Sequence, residues 1–143
     1  MKTALLSALL LFSIAQAETL GILNNNPGNL VYSKHNDWKG QVGKEKGFVK
    51  FSSPKYGIRA MAILLKKRIK EGRTLEEAIT IWAPPHENDT EKYIRFVSLQ
   101  TGIRRDQKFS QKDLTKIIIA VIKRENSKNP YPDELISEAI RMA

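Results

Sequence analysis

Apolar residues return at helical spacing along most of the chain. Ile58, Met61, Ala62, Leu65 and Ile69 stand at i, i+3, i+4, i+7 and i+11, one stripe of an amphipathic helix. Ser52-Ser53-Pro54 opens that helix and Gly72 closes it. Thr74-Leu-Glu-Glu77 is a capping box before the face Leu75, Ala78, Ile79 and Trp82, and Pro84-Pro85 ends the element. Asn88-Asp89-Thr90-Glu91 starts a third helix, with Tyr93, Phe96 and Val97 facing inward and Gly102 as its stop. Ser110-Gln-Lys-Asp113 caps a fourth, whose stripe is Leu114, Ile117, Ile118, Val121 and Ile122 and which runs to about Asn126. After the rigid turn Pro130-Tyr131-Pro132, Leu135, Ile136, Ala139 and Ile140 mark a short fifth helix. Residues 18–47 lack such a pattern. Asn24-Asn-Asn-Pro-Gly-Asn29 is a dense turn cluster in which Pro27-Gly28 suits a type II turn. Leu30-Val-Tyr32 and Phe48-Val-Lys-Phe51 are short strand candidates for one hairpin. The expectation is a mainly α (α+β) domain: five helices, a small β-hairpin and a long N-terminal loop.

The first 17 residues change the picture of where this domain works. Lys2 precedes the apolar run Ala4–Ile14, which ends in Ala15-Gln-Ala17. That order reads as a secretory signal peptide, and the run is too short for a comfortable membrane span. Residues 18–143 then form a single exported domain, periplasmic or secreted, without stable membrane insertion and expected to be monomeric. There is no cysteine, so the domain relies on packing in a compartment where disulfides form. Loss of Lys2 takes the formal net charge from +9 to +8. A basic exported protein suits an anionic partner, and export makes nucleic acid the least fitting one. Lys66, Lys67, Arg68 and Lys70 would serve a membrane surface, but spread cations on a helix are more often a solvated face.

Candidate chemistry is sparse. His35 and His86 stand far apart with no ligand-spaced neighbours, so neither a metal nor another cofactor is expected. No nucleophile elbow, phosphate-cradling loop or redox pair is present. Carboxylates remain. Glu125 lies three and four residues past Ile122 and Val121 and so continues an apolar stripe into the last helical turn. Desolvation and the negative helix end both favour its protonated form, which a general acid needs near neutral pH. A glutamate that ends a helix and reaches solvent shows the same pattern, and surface glutamates are the commoner case. Glu87 and Asp89 sit in a turn before a helix, where capping is the ordinary job of Asp89. Trp38 in the long loop is either a core plug or a stacking platform.

Asn24–Leu30, Trp38-Lys-Gly40, Phe48–Phe51, Tyr56-Gly-Ile-Arg-Ala60, Trp82-Ala-Pro-Pro-His-Glu-Asn-Asp-Thr90 with Tyr93, and Ile122-Lys-Arg-Glu-Asn126 with Pro130-Tyr131 carry a resemblance. In that order they resemble a family of phage virion-associated and prophage-encoded proteins, described as structural or as lysozyme-like and peptidoglycan-degrading. Ile122-Lys-Arg-Glu-Asn-Ser-Lys-Asn-Pro130 is also similar to the catalytic segment of lytic transglycosylases and glucosaminidases, where a helix ends in a catalytic Glu before a turn. Asn126 departs from it, standing where many of those enzymes have Ser. In the glucosaminidases the Glu helix precedes the Asn-rich loop, the Trp-x-Gly and the Tyr near a Thr-Asp turn; here it follows them. The resemblance therefore implies a lysozyme-like domain in circularly permuted order, which the proximity of chain ends in compact domains permits.

What the resemblance implies is concrete. Glu125 would be the general acid in cleavage of peptidoglycan glycan strands, by a muramidase or a lytic transglycosylase reaction. Tyr93 and Thr90 would steady the charged sugar or place a water. Asn24, Asn26, Asn29, Trp38, Glu87, Asp89 and Tyr131 would bind substrate, with loop folding the alternative for Asn26 and Asn29. The competing reading is a lysozyme-like domain without catalysis, a binding or inhibitor module in the periplasm or on the wall.

Overall fold

The computed structural model describes residues 17–143, so the segment expected to direct export, Ala17 apart, lies outside the described residues. They form six α-helices and one antiparallel hairpin. In chain order these are α1 (Leu20–Leu23), β1 (Gln41–Glu45), β2 (Phe48–Phe51), α2 (Pro54–Lys70), α3 (Leu75–Trp82), α4 (Thr90–Thr101), a 3-10 turn at Gln111–Asp113, α5 (Leu114–Asn126) and α6 (Asp133–Arg141). The fold is thus an α-rich α+β domain.

The helices begin and end where local chemistry dictates. The Thr74 hydroxyl accepts from the Glu77 N–H while the Glu77 carboxylate accepts from the Thr74 N–H, a complete capping box. Asp89 accepts from the Lys92 N–H at 3.2 Å and starts α4, which Gly102 ends in the left-handed conformation. Ser110 and Asp113 cap the turn leading into α5. These signals set helix ends; burial holds the helices together. The stripes of α2, α3, α4, α5 and α6 meet in one core in which Ile58, Met61, Leu75, Ile79, Val97, Ile117, Ile118 and Ile122 have essentially no exposed surface. Helix α5 is sunk deepest, with Leu114, Ile117, Ile118, Val121 and Ile122 all buried. A second, smaller cluster of Leu30, Val49, Phe51 and Ala60 seats the hairpin, and Trp82 packs against both.

The asparagine loop is welded to this second cluster. Asn26 donates to the Leu30 and Val49 carbonyls and accepts from the Leu30 N–H. Asn25 donates to the Phe51 carbonyl at 3.0 Å. The loop also comes down on α2 so closely that a Cβ at Gly57 would lie 2.0 Å from the Asn25 carbonyl oxygen, so only glycine fits there.

Three local expectations are corrected. Leu30–Tyr32 is not the hairpin partner of Phe48–Phe51: β1 is, with Glu45 opposite Phe48 and a two-residue loop of Lys46 (φ 51°) and Gly47 (φ 85°). That double left-handed loop has the geometry matching strand twist, but Lys-Gly signals it more weakly than Asn-Gly. Val31 contributes a single bridge to Phe48 on the other side of β2. The Asn26–Asn29 turn closes through an Asn29 N–H to Asn26 carbonyl bond of 3.0 Å, yet Gly28 is not at positive φ, so the turn is not type II. The left-handed residues are instead Asn25 (φ 55°) and Asn29 (φ 50°). Helix α1, too short to show a period, was also not anticipated.

The basic face of α2 is partly engaged within the fold. Lys66 donates to the Ile140 and Ala143 carbonyls and Arg59 to that of Met142, which satisfies the end of α6. Arg68 pairs with Glu71 at 3.1 Å. No helix among the described residues is long and apolar enough to cross a membrane.

Candidate active site

Burial of the α5 stripe brings Glu125 to the last turn of that helix, half-buried, one residue before its end. Ser127 closes the helix in the left-handed conformation and donates its N–H to the Lys123 carbonyl. The Glu125 carboxyl is held by both oxygens. The Tyr93 hydroxyl, from α4, donates to Oε2 at 2.7 Å, and the Asn29 amide, from the loop, donates to Oε1 at 2.8 Å. Tyr93 is 2% exposed. Burial first, then the neighbouring Glu125 charge, push its hydroxyl well above the ordinary 10.0, so it stays protonated and remains a donor. Lys123 and Arg124 are exposed beside this site, and the Arg124 guanidinium lies 5.4 Å from the Tyr93 ring centroid.

Behind the carboxyl is a layer of amides. Asn126, 3% exposed, donates to the Pro27 carbonyl at 2.8 Å and the Ile122 carbonyl at 3.0 Å, and accepts from the Thr19 hydroxyl at 2.6 Å. It ties the end of α5 to the asparagine loop and to the start of α1. Gly21 lets α1 press against this layer: a Cβ there would stand 2.7 Å from Asn126 Oδ1 and 2.9 Å from Asn29 Oδ1.

Glu125 opens onto a cleft of about 390 Å³ lined by Gly28, Asn29 and Val31, by the hairpin turn Lys46–Phe48, and by Trp82, Ala83, Glu87 and Asn88. A more apolar groove of about 340 Å³ adjoins it and shares Gly28, Asn29, Val31, Trp82 and Glu87. Both concavities combine apolar and polar lining groups, the mixture that binds a ligand and fixes its orientation.

The structure sorts the sequence candidates. Glu125, Tyr93 and Asn29 come together, and Glu87 lines the same cleft. Thr90 does not: its hydroxyl donates to the Ala83 carbonyl at 2.5 Å. Thr90 and Asp89 line a separate, wide concavity with Glu76, Glu91 and Arg105. Asn24 and Asn26 are buried and belong to the loop's own folding; the Asn24 carbonyl accepts from the Phe51 N–H. Trp38 packs on the smaller apolar cluster, away from the cleft. Tyr131 packs on the main core, and burial pushes its hydroxyl up to about 12. Among the cleft residues that sequence reasoning missed are Trp82, Val31 and Lys46. Trp82 carried a signal, a large aromatic one residue short of the Pro84-Pro85 stop, but its helical spacing explained it as core.

No protein-family profile matches the chain. It is similar to Protein P5 of Pseudoalteromonas phage PM2, 40% identical over 117 residues, which cover 78% of this chain and 73% of that protein. Similarity of that degree and extent places the chain in the family of phage PM2 Protein P5.

Proposed function

We propose that this protein is an exported, lysozyme-like glycosidase that cleaves peptidoglycan glycan strands, with Glu125 as its general acid. The observation that carries this reading is the carboxyl of Glu125, set at a cleft wall with one oxygen bound by the Tyr93 hydroxyl and the other by the Asn29 amide. Two neutral donors from two other elements fix the plane of the carboxyl, and such fixing is what proton transfer at a defined atom requires. In the reaction Glu125 gives its proton to the glycosidic oxygen, and the bond from that oxygen to C1 breaks. In lytic transglycosylation the C6 hydroxyl oxygen of the same sugar then bonds to C1, and its proton returns to Glu125. One carboxyl serves as acid and then as base, which suits a site with a single firmly held acid. Trp82, at the junction of cleft and groove, offers a flat surface for a sugar face.

A hydrolytic variant draws on Glu87, which lines the same cleft and is the second carboxylate that a water-using mechanism needs. The ends of the products separate the two: 1,6-anhydro ends follow from transglycosylation and reducing ends from hydrolysis. Clearing of a peptidoglycan suspension by the purified protein, lost in Glu125→Gln, tests the shared claim.

A further inference from the structure

Among the described residues, Lys46 is the one cation whose side chain lines the cleft of Glu125. Among the described residues it has no ion pair, no side-chain hydrogen bond and no aromatic partner. Its neighbours differ. Lys44 lies 4.6 Å from the centroid of the Tyr32 ring. Arg68, in the adjoining groove, is paired with Glu71. Yet the backbone carrying Lys46 is firmly set. Glu45 pairs with Phe48 across the turn, Lys46 and Gly47 take the two left-handed positions, and the Gly47 carbonyl accepts from the Tyr32 N–H at 2.8 Å. A fixed turn thus displays an exposed ammonium over a cleft whose other charged lining groups, Glu87 and Glu125, are acids. A ligand that matches this charge pattern is neutral where it meets Glu125 and carries an anion at the hairpin rim.

We infer that Lys46 is a specificity-determining residue that pairs with a carboxylate of the peptide stem borne by the glycan strand. The inference rests on the proposed function. A polymer of uncharged amino sugars offers this cation nothing, whereas a stem-bearing strand offers a carboxylate beside the bond to be cleaved. The cleft therefore selects stem-bearing glycan.

Binding in a Glu125→Gln background reads this without turnover. The probes are soluble stem-bearing glycan fragments, in which the lactyl groups are amides and the carboxylates belong to the stems, and oligomers of N-acetylglucosamine, which carry no carboxylate. The parent binds stem-bearing fragments more tightly than the neutral oligomers. Lys46→Gln weakens that binding about threefold, as for an exposed ion pair. Lys46→Glu weakens it further, Lys46→Arg retains it, and none of the three changes binding to the neutral oligomers. The preference shrinks as salt rises. Equal binding of both probes by the parent, or unchanged preference in Lys46→Glu, overturns the inference. Cleavage of peptidoglycan with no dependence on Lys46 overturns this inference alone. A preference set by Lys46 in a protein whose native form cleaves nothing overturns the glycosidase reading alone, and binding of neither probe overturns both.

Discussion

The Tyr93 hydroxyl and Oε2 of Glu125 stand 2.7 Å apart, although 32 positions separate the two residues. The contact joins the inward face of α4 to the end of α5, and it couples the fold to the site: the burial that keeps Tyr93 protonated also fixes what it binds.

Tyr93→Phe keeps the ring and removes this donor. Fixing a general acid is worth a part of its total effect, so glycan cleavage should fall roughly tenfold. Stability should fall by only about 1 kcal/mol, the net worth of one hydrogen bond. Turnover and urea denaturation measured on the same preparation give both figures. A full loss of the fold would mean that the hydroxyl is structural first.

Gly21→Ala places a methyl against the Asn29 and Asn126 side chains. Crowding of this kind costs about 1–3 kcal/mol. Because Asn29 holds Oε1 of Glu125, activity should drop at temperatures where the variant is still fully folded. Wild-type activity with lowered thermal stability would show that the amide layer moves without moving the carboxyl.

Asn126→Ala leaves the Pro27 carbonyl without its side-chain donor and frees the Thr19 hydroxyl. An unsatisfied buried carbonyl costs about 1–3 kcal/mol, so a destabilisation of about 2 kcal/mol is expected. Asn126→Ser keeps a polar group but cannot span to both Pro27 and Thr19, and should fall between the two. Thermal melts of the three proteins order them.

Asp113 supplies the pH prediction. Burial alone would raise its carboxyl, but the Ser110 backbone N–H and then Lys116 outweigh it and hold the group below the ordinary 3.8. A carboxyl whose folded value is depressed adds stability that is present above its unfolded value and is lost as pH falls through the folded one. Asp113→Asn should therefore lower stability at pH 7 by about 1 kcal/mol. The gap from wild type should narrow below about pH 4. Denaturant titrations at pH 7 and pH 3 check this, and an equal gap at both would contradict it.

The helices were legible because their signals are local. Thr74 with Glu77, Asp89, Gly102, and Ser110 with Asp113 mark ends through bonds made within a few residues, and the Ile117–Ile122 stripe repeats within α5. Glu125 was legible for the same reason, as the continuation of a stripe. Asn29 and Tyr93 reach it across 96 and 32 positions, and no periodicity encodes such contacts. Thr90 enters the candidate list only through the resemblance; in the structure its hydroxyl, at the head of α4, donates to the Ala83 carbonyl just past α3. The hairpin partner was misassigned because Leu30–Tyr32 reads as the stronger strand, while Gln41–Glu45 is mostly polar and owes its pairing to the Lys46-Gly47 turn. Lys46 and Trp82 come to line one cleft with Glu125 only through the tertiary fold.

Under the proposed function Glu125 donates the proton. Glu125→Gln keeps the size of the side chain, and its amide N–H is far too weak an acid to protonate a glycosidic oxygen. Release of soluble glycan from peptidoglycan should fall at least about a hundredfold while the melting temperature stays close to wild type. Release at the wild-type rate by a folded Glu125→Gln protein would contradict the account.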